Sequence, residues 1–282
     1  MTHYSTIISV TELQSQLYHP DWVVVDCRFN LLVPDAGRKA YLQEHIPGAV
    51  YAHLDYDLAG APAPDSGRHP LPDSAALVQQ LERWGISNTT QVVAYDDAGG
   101  STAARLWWLL RWLGCERCAV LDGGLSAWQE AGFELVTEQT QVRRSVFKPQ
   151  INDQLWVSTD DVVQNLQTHH NTLIDARAAV RFRGEKEPID PVAGHVPQAV
   201  NLPLDGNLSE GRFLSPDALR QRFESVLQGQ PAEQVIHMCG SGVTACHNKL
   251  AMEIAGLSGS RIYVGSWSEW IRDKKRPIAT TA

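Results

Sequence analysis

The sequence predicts an α/β protein built twice over, with two tandem domains that are each a parallel sheet flanked by helices. Three observations point there. The chain has 282 residues, 43% of them hydrophobic, which is more than one ordinary small domain needs and enough for two cores. Four segments of the first half recur in the same order in the second. Each half alternates short β-branched runs with amphipathic stretches such as 103–113 and 216–227, the pattern of helices covering a parallel sheet.

The recurring segments fix the elements in order. Val23-Val24-Val25-Asp26-Cys27-Arg28 pairs with Thr172-Leu173-Ile174-Asp175-Ala176-Arg177, a strand ending in Asp-x-Arg. Glu44-His45-Ile46-Pro47-Gly48-Ala49 pairs with Gly194-His195-Val196-Pro197-Gln198-Ala199, so His45 and His195 read as structural in both copies. The strand and loop Val92–Gly99 pair with Val235–Gly242, which sets Asp96 opposite Cys239. Last, Leu121-Asp122-Gly123-Gly124-Leu125 pairs with Tyr263-Val264-Gly265-Ser266-Trp267. These matches divide the chain into a first domain over 1–137, a linker over 138–156 and a second domain over 157–282. The linker is polar, carries Arg143-Arg144 and Lys148-Pro149, and lacks periodicity. Thr11 with Glu12, and Thr159-Asp160-Asp161, are the expected caps of the first helix of each domain.

Composition excludes several classes of function. A net charge of −8 disfavours nonspecific binding to nucleic acid or an anionic membrane. The expected partners are small molecules or proteins. The start of the chain has no basic stretch followed by an apolar one, and no window is long enough for a membrane span. Five cysteines with no framework spacing point to a reducing, cytoplasmic home. Cys115-Glu116-Arg117-Cys118 has no second pair, so it reads as two ordinary cysteines rather than a zinc or redox motif, and no metal site is expected.

Chemistry concentrates at Cys239. An apolar run delivers it, Gly240 and Gly242 follow it, and a helix is expected to begin near Val243. Glycines let backbone N–H groups turn inward, and a helix start adds positive potential, both of which favour a thiolate. Ordinary free cysteine is only about 3% thiolate at neutral pH, so such surroundings decide whether it reacts. Cys27, Cys115, Cys118 and Cys246 lack this frame and read as small buried hydrophobes. In the other copy Asp96 occupies the nucleophile's place, so the first domain is expected to be non-catalytic.

These motifs, taken over nearly the whole chain, resemble the two-domain rhodanese-like sulfurtransferases. The loop Cys239-Gly240-Ser241-Gly242-Val243-Thr244-Ala245 is similar to that of the 3-mercaptopyruvate sulfurtransferase branch, whereas the thiosulfate branch often carries basic residues at the positions of Gly240 and Ser241. The resemblance implies a sulfur relay without a cofactor. Cys239 takes sulfur from a donor as a persulfide and passes it to a thiol such as thioredoxin, or to cyanide. Backbone N–H groups of Gly240, Gly242, Val243 and Thr244 are expected to stabilise that anion. By alignment Arg181 holds the donor's anionic end, with Arg183 a candidate for the same pocket. Ser241, His69 and Asp55 match a proton-handling set suited to the pyruvate enolate left behind.

Asp190 departs from that branch, which usually has a second substrate arginine nine positions after the first. The thiosulfate branch tends to be acidic there. A carboxylate at that point is expected to repel a substrate carboxylate, so Asp190→Arg is expected to favour 3-mercaptopyruvate. The loop surrounds the reacting sulfur, and 3-mercaptopyruvate is therefore the expected donor, with thiosulfate the alternative. Cysteine phosphatases with this loop geometry need an arginine where this chain has Ala245. A non-enzymatic binding or regulatory module is the other reading, countered by the thiol in a glycine-framed loop.

Overall fold

The computed structural model describes residues 3–281, and they include two five-stranded sheets of the same topology. In the first half β1 (Ile7–Ile8), β2 (Trp22–Asp26), β3 (Val50–Tyr51), β4 (Gln91–Tyr95) and β5 (Cys118–Leu121) assemble in the order β1-β5-β4-β2-β3, all parallel. In the second half β6 (Trp156–Val157), β7 (Thr172–Asp175), β8 (Val200–Asn201), β11 (Val235–Met238) and β12 (Arg261–Tyr263) take the order β6-β12-β11-β7-β8, again parallel. Two short strands, β9 (Leu208–Ser209) and β10 (Arg212–Phe213), come between β8 and the helix that precedes β11. β4 and β11 lie mid-sheet and are buried along their whole length. Burial on both faces explains why they read as continuous apolar runs rather than alternating ones.

Helices α1 (Val10–Gln16), α2 (Ala36–Gln43), α3 (Leu54–Asp57), α4 (Ser74–Arg83), α5 (Ala103–Trp112) and α6 (Gly124–Glu130) connect the first sheet. α7 (Thr159–Thr168), α8 (Ala179–Phe182), α9 (Pro216–Leu227), α10 (Ala245–Ile254) and α11 (Ser266–Trp270) connect the second. The caps fall earlier than the sequence reading placed them. Ser9 caps α1 and Ser158 caps α7, each in a reciprocal box with the acidic residue three positions on, Glu12 or Asp161. Thr11 and Thr159 lie instead inside the first turn of their helices, past the cap position. α9 begins at Pro216 behind the cap Ser215, where the missing proline N–H costs nothing.

The chain divides into two compact units at other points than 137 and 157. Unit 1 comprises 1–60, 71–152 and 210–213, and unit 2 comprises 61–70, 153–209 and 214–282. The supposed linker is tied into unit 1: Gln150 and Asn152 donate backbone N–H bonds to Leu113 and Trp112, and Phe147 is buried. The segment 61–70, which the repeat placed in the first domain, packs with unit 2. Among the described residues no helix is long and apolar enough to cross a membrane.

Each unit has its own core. Ile8, Leu13, Val24, Val93, Leu121 and Trp128 are buried together in unit 1, and Val162, Leu173, Ile236, Tyr263, Trp267 and Trp270 in unit 2. The paired motifs brace the loops at the strand ends in the same way in both. Arg28 forks onto Asp26 and donates to the carbonyl of Glu44, and Arg177 forks onto Asp175 and donates to the carbonyl of Gly194. His45 stacks on Tyr41 and His195 on Phe182, each ring bonded through Nδ1 to the carbonyl of the residue it stacks on.

Candidate active site

β11 ends at Met238, so Cys239 emerges at the carboxyl end of a central strand, the usual place for a site in an open parallel sheet. The loop that follows is held from both sides. Cys239 donates its backbone N–H to Ser266 Oγ at 3.1 Å, and the carbonyls of Cys239 and Gly240 accept from Trp267 and Ser268 at the start of α11. Gly242 adopts φ +78°, and a side-chain carbon there would lie 2.2 Å from the carbonyl oxygen of Val264, so only glycine fits. In this turn the Gly242 N–H donates to Cys239 Sγ at 3.1 Å. Val243 is buried, and Thr244 is the N-terminal cap residue of α10, whose positive end therefore faces the loop.

Unit 1 carries the same turn with a different occupant. Asp96 follows β4 and turns its carboxylate into its own loop, where it accepts N–H bonds from Ala98, Gly100, Thr102 and Ala103 at 2.8–2.9 Å. This strand-to-helix turn is thus a nest of inward N–H groups suited to an anion. Asp96 fills it permanently, and no thiol stands there.

His69 and Ser241 meet within unit 2, Nδ1 to Oγ at 2.7 Å, and both are buried. The third member of the expected set, Asp55, lies in the first turn of α3 in unit 1, its own N–H donated to His53 Nδ1. The segment bearing His69 is pinned to α11. Arg68 N–H donates to Ser268 Oγ, Gly67 N–H to Glu269, and Arg272 Nε to the carbonyl of Ser66.

Arg181, on α8, lies close to Gly240 and is anchored by Glu187 and Asp190. Burial works to raise the Glu187 carboxyl, but the Arg181 bond and the N–H groups of Asp190 and Ile189 outweigh it and hold it below the usual carboxylate range. Arg183 does not join Arg181. It pairs with Glu185 at 2.6 Å on the surface, because residues two apart on a helix face different ways. Asp190 also behaves otherwise than expected. Both its oxygens are engaged, one by Arg68 at 2.6 Å and one by Arg181 at 3.0 Å, so it neutralises arginines rather than facing substrate alone.

Two residues of this site escaped the sequence reading. Ser266 stands where the other copy has Gly124, both at positive φ, and a serine opposite a conformationally required glycine was the available signal. Arg68 was visible beside His69 but had no partner in the repeat to mark it.

The comparisons agree with this geometry. A family profile described as "Rhodanese-like domain" matches residues 9–131 and 158–273. The chain is 47% identical over 278 residues to a Pseudomonas aeruginosa protein named "Probable 3-mercaptopyruvate sulfurtransferase", covering 97% of this chain and 98% of that protein. It is 35% identical over 239 residues to the "Thiosulfate sulfurtransferase" of Bos taurus, covering 83% and 79%. Among solved structures, the 3-mercaptopyruvate sulfurtransferase from Leishmania major superposes with a TM-score of 0.84 at 30% identity, over 95% of this chain and 75% of that one. With both halves matched, the chain belongs to the rhodanese-like domain family.

Proposed function

We infer that the protein is a sulfurtransferase that moves sulfur from 3-mercaptopyruvate to a thiol or to cyanide through a persulfide on Cys239. The observation that carries this is the Cys239 turn, in which a backbone N–H already donates to the sulfur and the matching turn of unit 1 holds a carboxylate. The Cys239 thiolate attacks the donor sulfur. The C–S electron pair passes to the methylene carbon, leaving the enolate of pyruvate, which takes up one proton to give pyruvate. Ser241, hydrogen-bonded to His69, is the hydroxyl that hands over that proton. Attack of cyanide on the outer sulfur then gives thiocyanate and restores the Cys239 thiolate.

Arg181 holds the donor's anionic end, and the N–H groups from Gly240 to Thr244 stabilise the outer sulfur's charge. The chemistry calls for no cofactor. An odd number of free cysteines fits a reducing compartment such as the cytoplasm, where a thioredoxin or a small thiol would be the acceptor. Thiosulfate is the second donor reading, favoured by the acidic residue at position 190. The test is turnover with 3-mercaptopyruvate and cyanide, followed as thiocyanate and pyruvate in equal amounts. Loss of both in Cys239→Ser is expected, and no turnover by the wild type from either donor would refute the reading.

A further inference from the structure

Two guanidinium groups overhang the residue that follows the nucleophile, and one of them has no role so far. A side-chain carbon on Gly240 would lie 3.3 Å from Arg68 Nη2, and 3.6 and 3.7 Å from the terminal nitrogens of Arg181. Two cations at one point repel unless a counter-charge binds them. Asp190 is that charge: Oδ1 takes Arg68 Nη1 and Oδ2 takes Arg181 Nη2, and the carboxylate is almost fully buried.

The bonds already made show which edge of Arg68 is open. Nη1 is committed to Asp190, whereas Nε is buried without a hydrogen-bond partner and Nη2 faces Gly240. Nε and Nη2 share one side of the planar group, the fork that donates to two carboxylate oxygens at once. Arg181 uses Nε and Nη2 on Glu187 and Asp190, which leaves its Nη1 toward the same point.

Arg68 is also not a loosely tethered surface side chain. Gly67 passes so close to the carbonyl of Gly265 that a side-chain carbon would stand 2.6 Å from it. The Arg68 N–H bonds to Ser268, and the same short helix α11 receives the carbonyls of Cys239 and Gly240. Nucleophile and arginine therefore hang on one element, at a fixed separation.

We propose that Arg68 is the second anion-binding residue of the donor site, its open fork and Arg181 Nη1 clasping the carboxylate of a thiol-bearing 2-oxo acid, with Asp190 the positioning residue that holds the two guanidiniums together. This rests on the sulfur-transfer reading of Cys239. The clamp replaces an arginine at position 190 with one from a distant segment of the chain.

The test has two arms. In steady-state kinetics with 3-mercaptopyruvate, Arg68→Ala should raise KM by about tenfold or more with little change in kcat, as expected when a charge-assisted fork is removed from ground and transition state alike. Arg68→Lys, which keeps the charge and loses the fork, should fall between. Asp190→Asn should raise KM in the same direction, and that effect should shrink in an Arg68→Ala background, which a merely structural role would not produce. In the second arm, 3-mercaptopyruvate binding to Cys239→Ser is measured by calorimetry with and without Arg68→Ala, and about tenfold weaker binding is expected. An active wild type with KM and Kd indifferent to Arg68 would overturn the clamp. A wild type that turns over neither donor, yet binds the acid in an Arg68-dependent way, would leave the clamp standing and overturn the sulfur-transfer reading instead.

Discussion

Ser266 holds a left-handed backbone at φ 51°, a conformation costing a non-glycine residue about 1–2 kcal/mol, and it does so fully buried beside Cys239. Its hydroxyl donates to the Tyr263 carbonyl and accepts the Cys239 N–H, which accounts for keeping serine where the other copy has Gly124. Ser266→Ala retains the strain and strands both partners, so it should destabilise by about 1–3 kcal/mol and slow sulfur uptake. Ser266→Gly relieves the strain and should be milder in denaturant unfolding; a more damaging glycine would refute this account. Asp190→Arg yields an expectation opposite to that drawn from the sequence. It would set a third cation against Arg68 and Arg181, so kcat/KM should fall for both donors, and a gain with 3-mercaptopyruvate would show that Asp190 is not the arginines' tether. The difference shows what is legible in a sequence. The Cys239 turn could be read because its parts are contiguous and glycines mark the backbone it needs. Arg68 and Asp190 are 122 residues apart, and nothing local announces that a tertiary contact joins them.

At the scale of elements, the strand-to-helix turn is one device used twice. In unit 1 it stabilises the fold, because Asp96 satisfies four backbone N–H groups, three of them buried. Asp96→Ala would leave those donors unpaired and should cost about 3 kcal/mol or more, read as a lower denaturant midpoint, while persulfide formation per folded molecule is retained. β11 carries a second consequence of burial. His237 is completely enclosed, and desolvation, with the nearby Lys249 charge adding to it, lowers its pKa to about 3. An unfolded chain protonates this ring near its ordinary value of about 6.5 and the folded chain does not. Stability should therefore fall as pH drops below about 6.5, by about 1.4 kcal/mol per unit from this group alone. Denaturant curves at pH 7 and pH 5 should show the loss, and His237→Leu should remove most of that slope. An unchanged slope in the variant would mean that other groups carry it. The parallel sheet flanked by helices was readable in both halves from the repeat and from the alternation of β-branched and amphipathic runs, whereas the strand order was not. The caps were misplaced by one or two residues because a cap is defined by backbone geometry that hydroxyl-rich stretches leave ambiguous.

At the scale of the whole molecule, the duplicated family fold sets a cysteine, Cys239, in the strand-to-helix turn of unit 2 and a carboxylate, Asp96, in that of unit 1. Packing joins 61–70, with Arg68 and His69, to the compact unit that bears Cys239, an association the repeat does not announce. Donor choice belongs to this scale too, since the loop, the arginines and the carboxylates act together. With Arg68 supplying a second guanidinium, kcat/KM for 3-mercaptopyruvate should exceed that for thiosulfate, and the reverse order would show that the acidic residue at 190 marks the donor after all. The central claim, that Cys239 alone among the five cysteines carries sulfur, is tested most directly by intact mass after exposure to 3-mercaptopyruvate. The account predicts one added sulfur atom per chain, removed by cyanide and missing in Cys239→Ser; no added sulfur, or the same adduct in the variant, would contradict it.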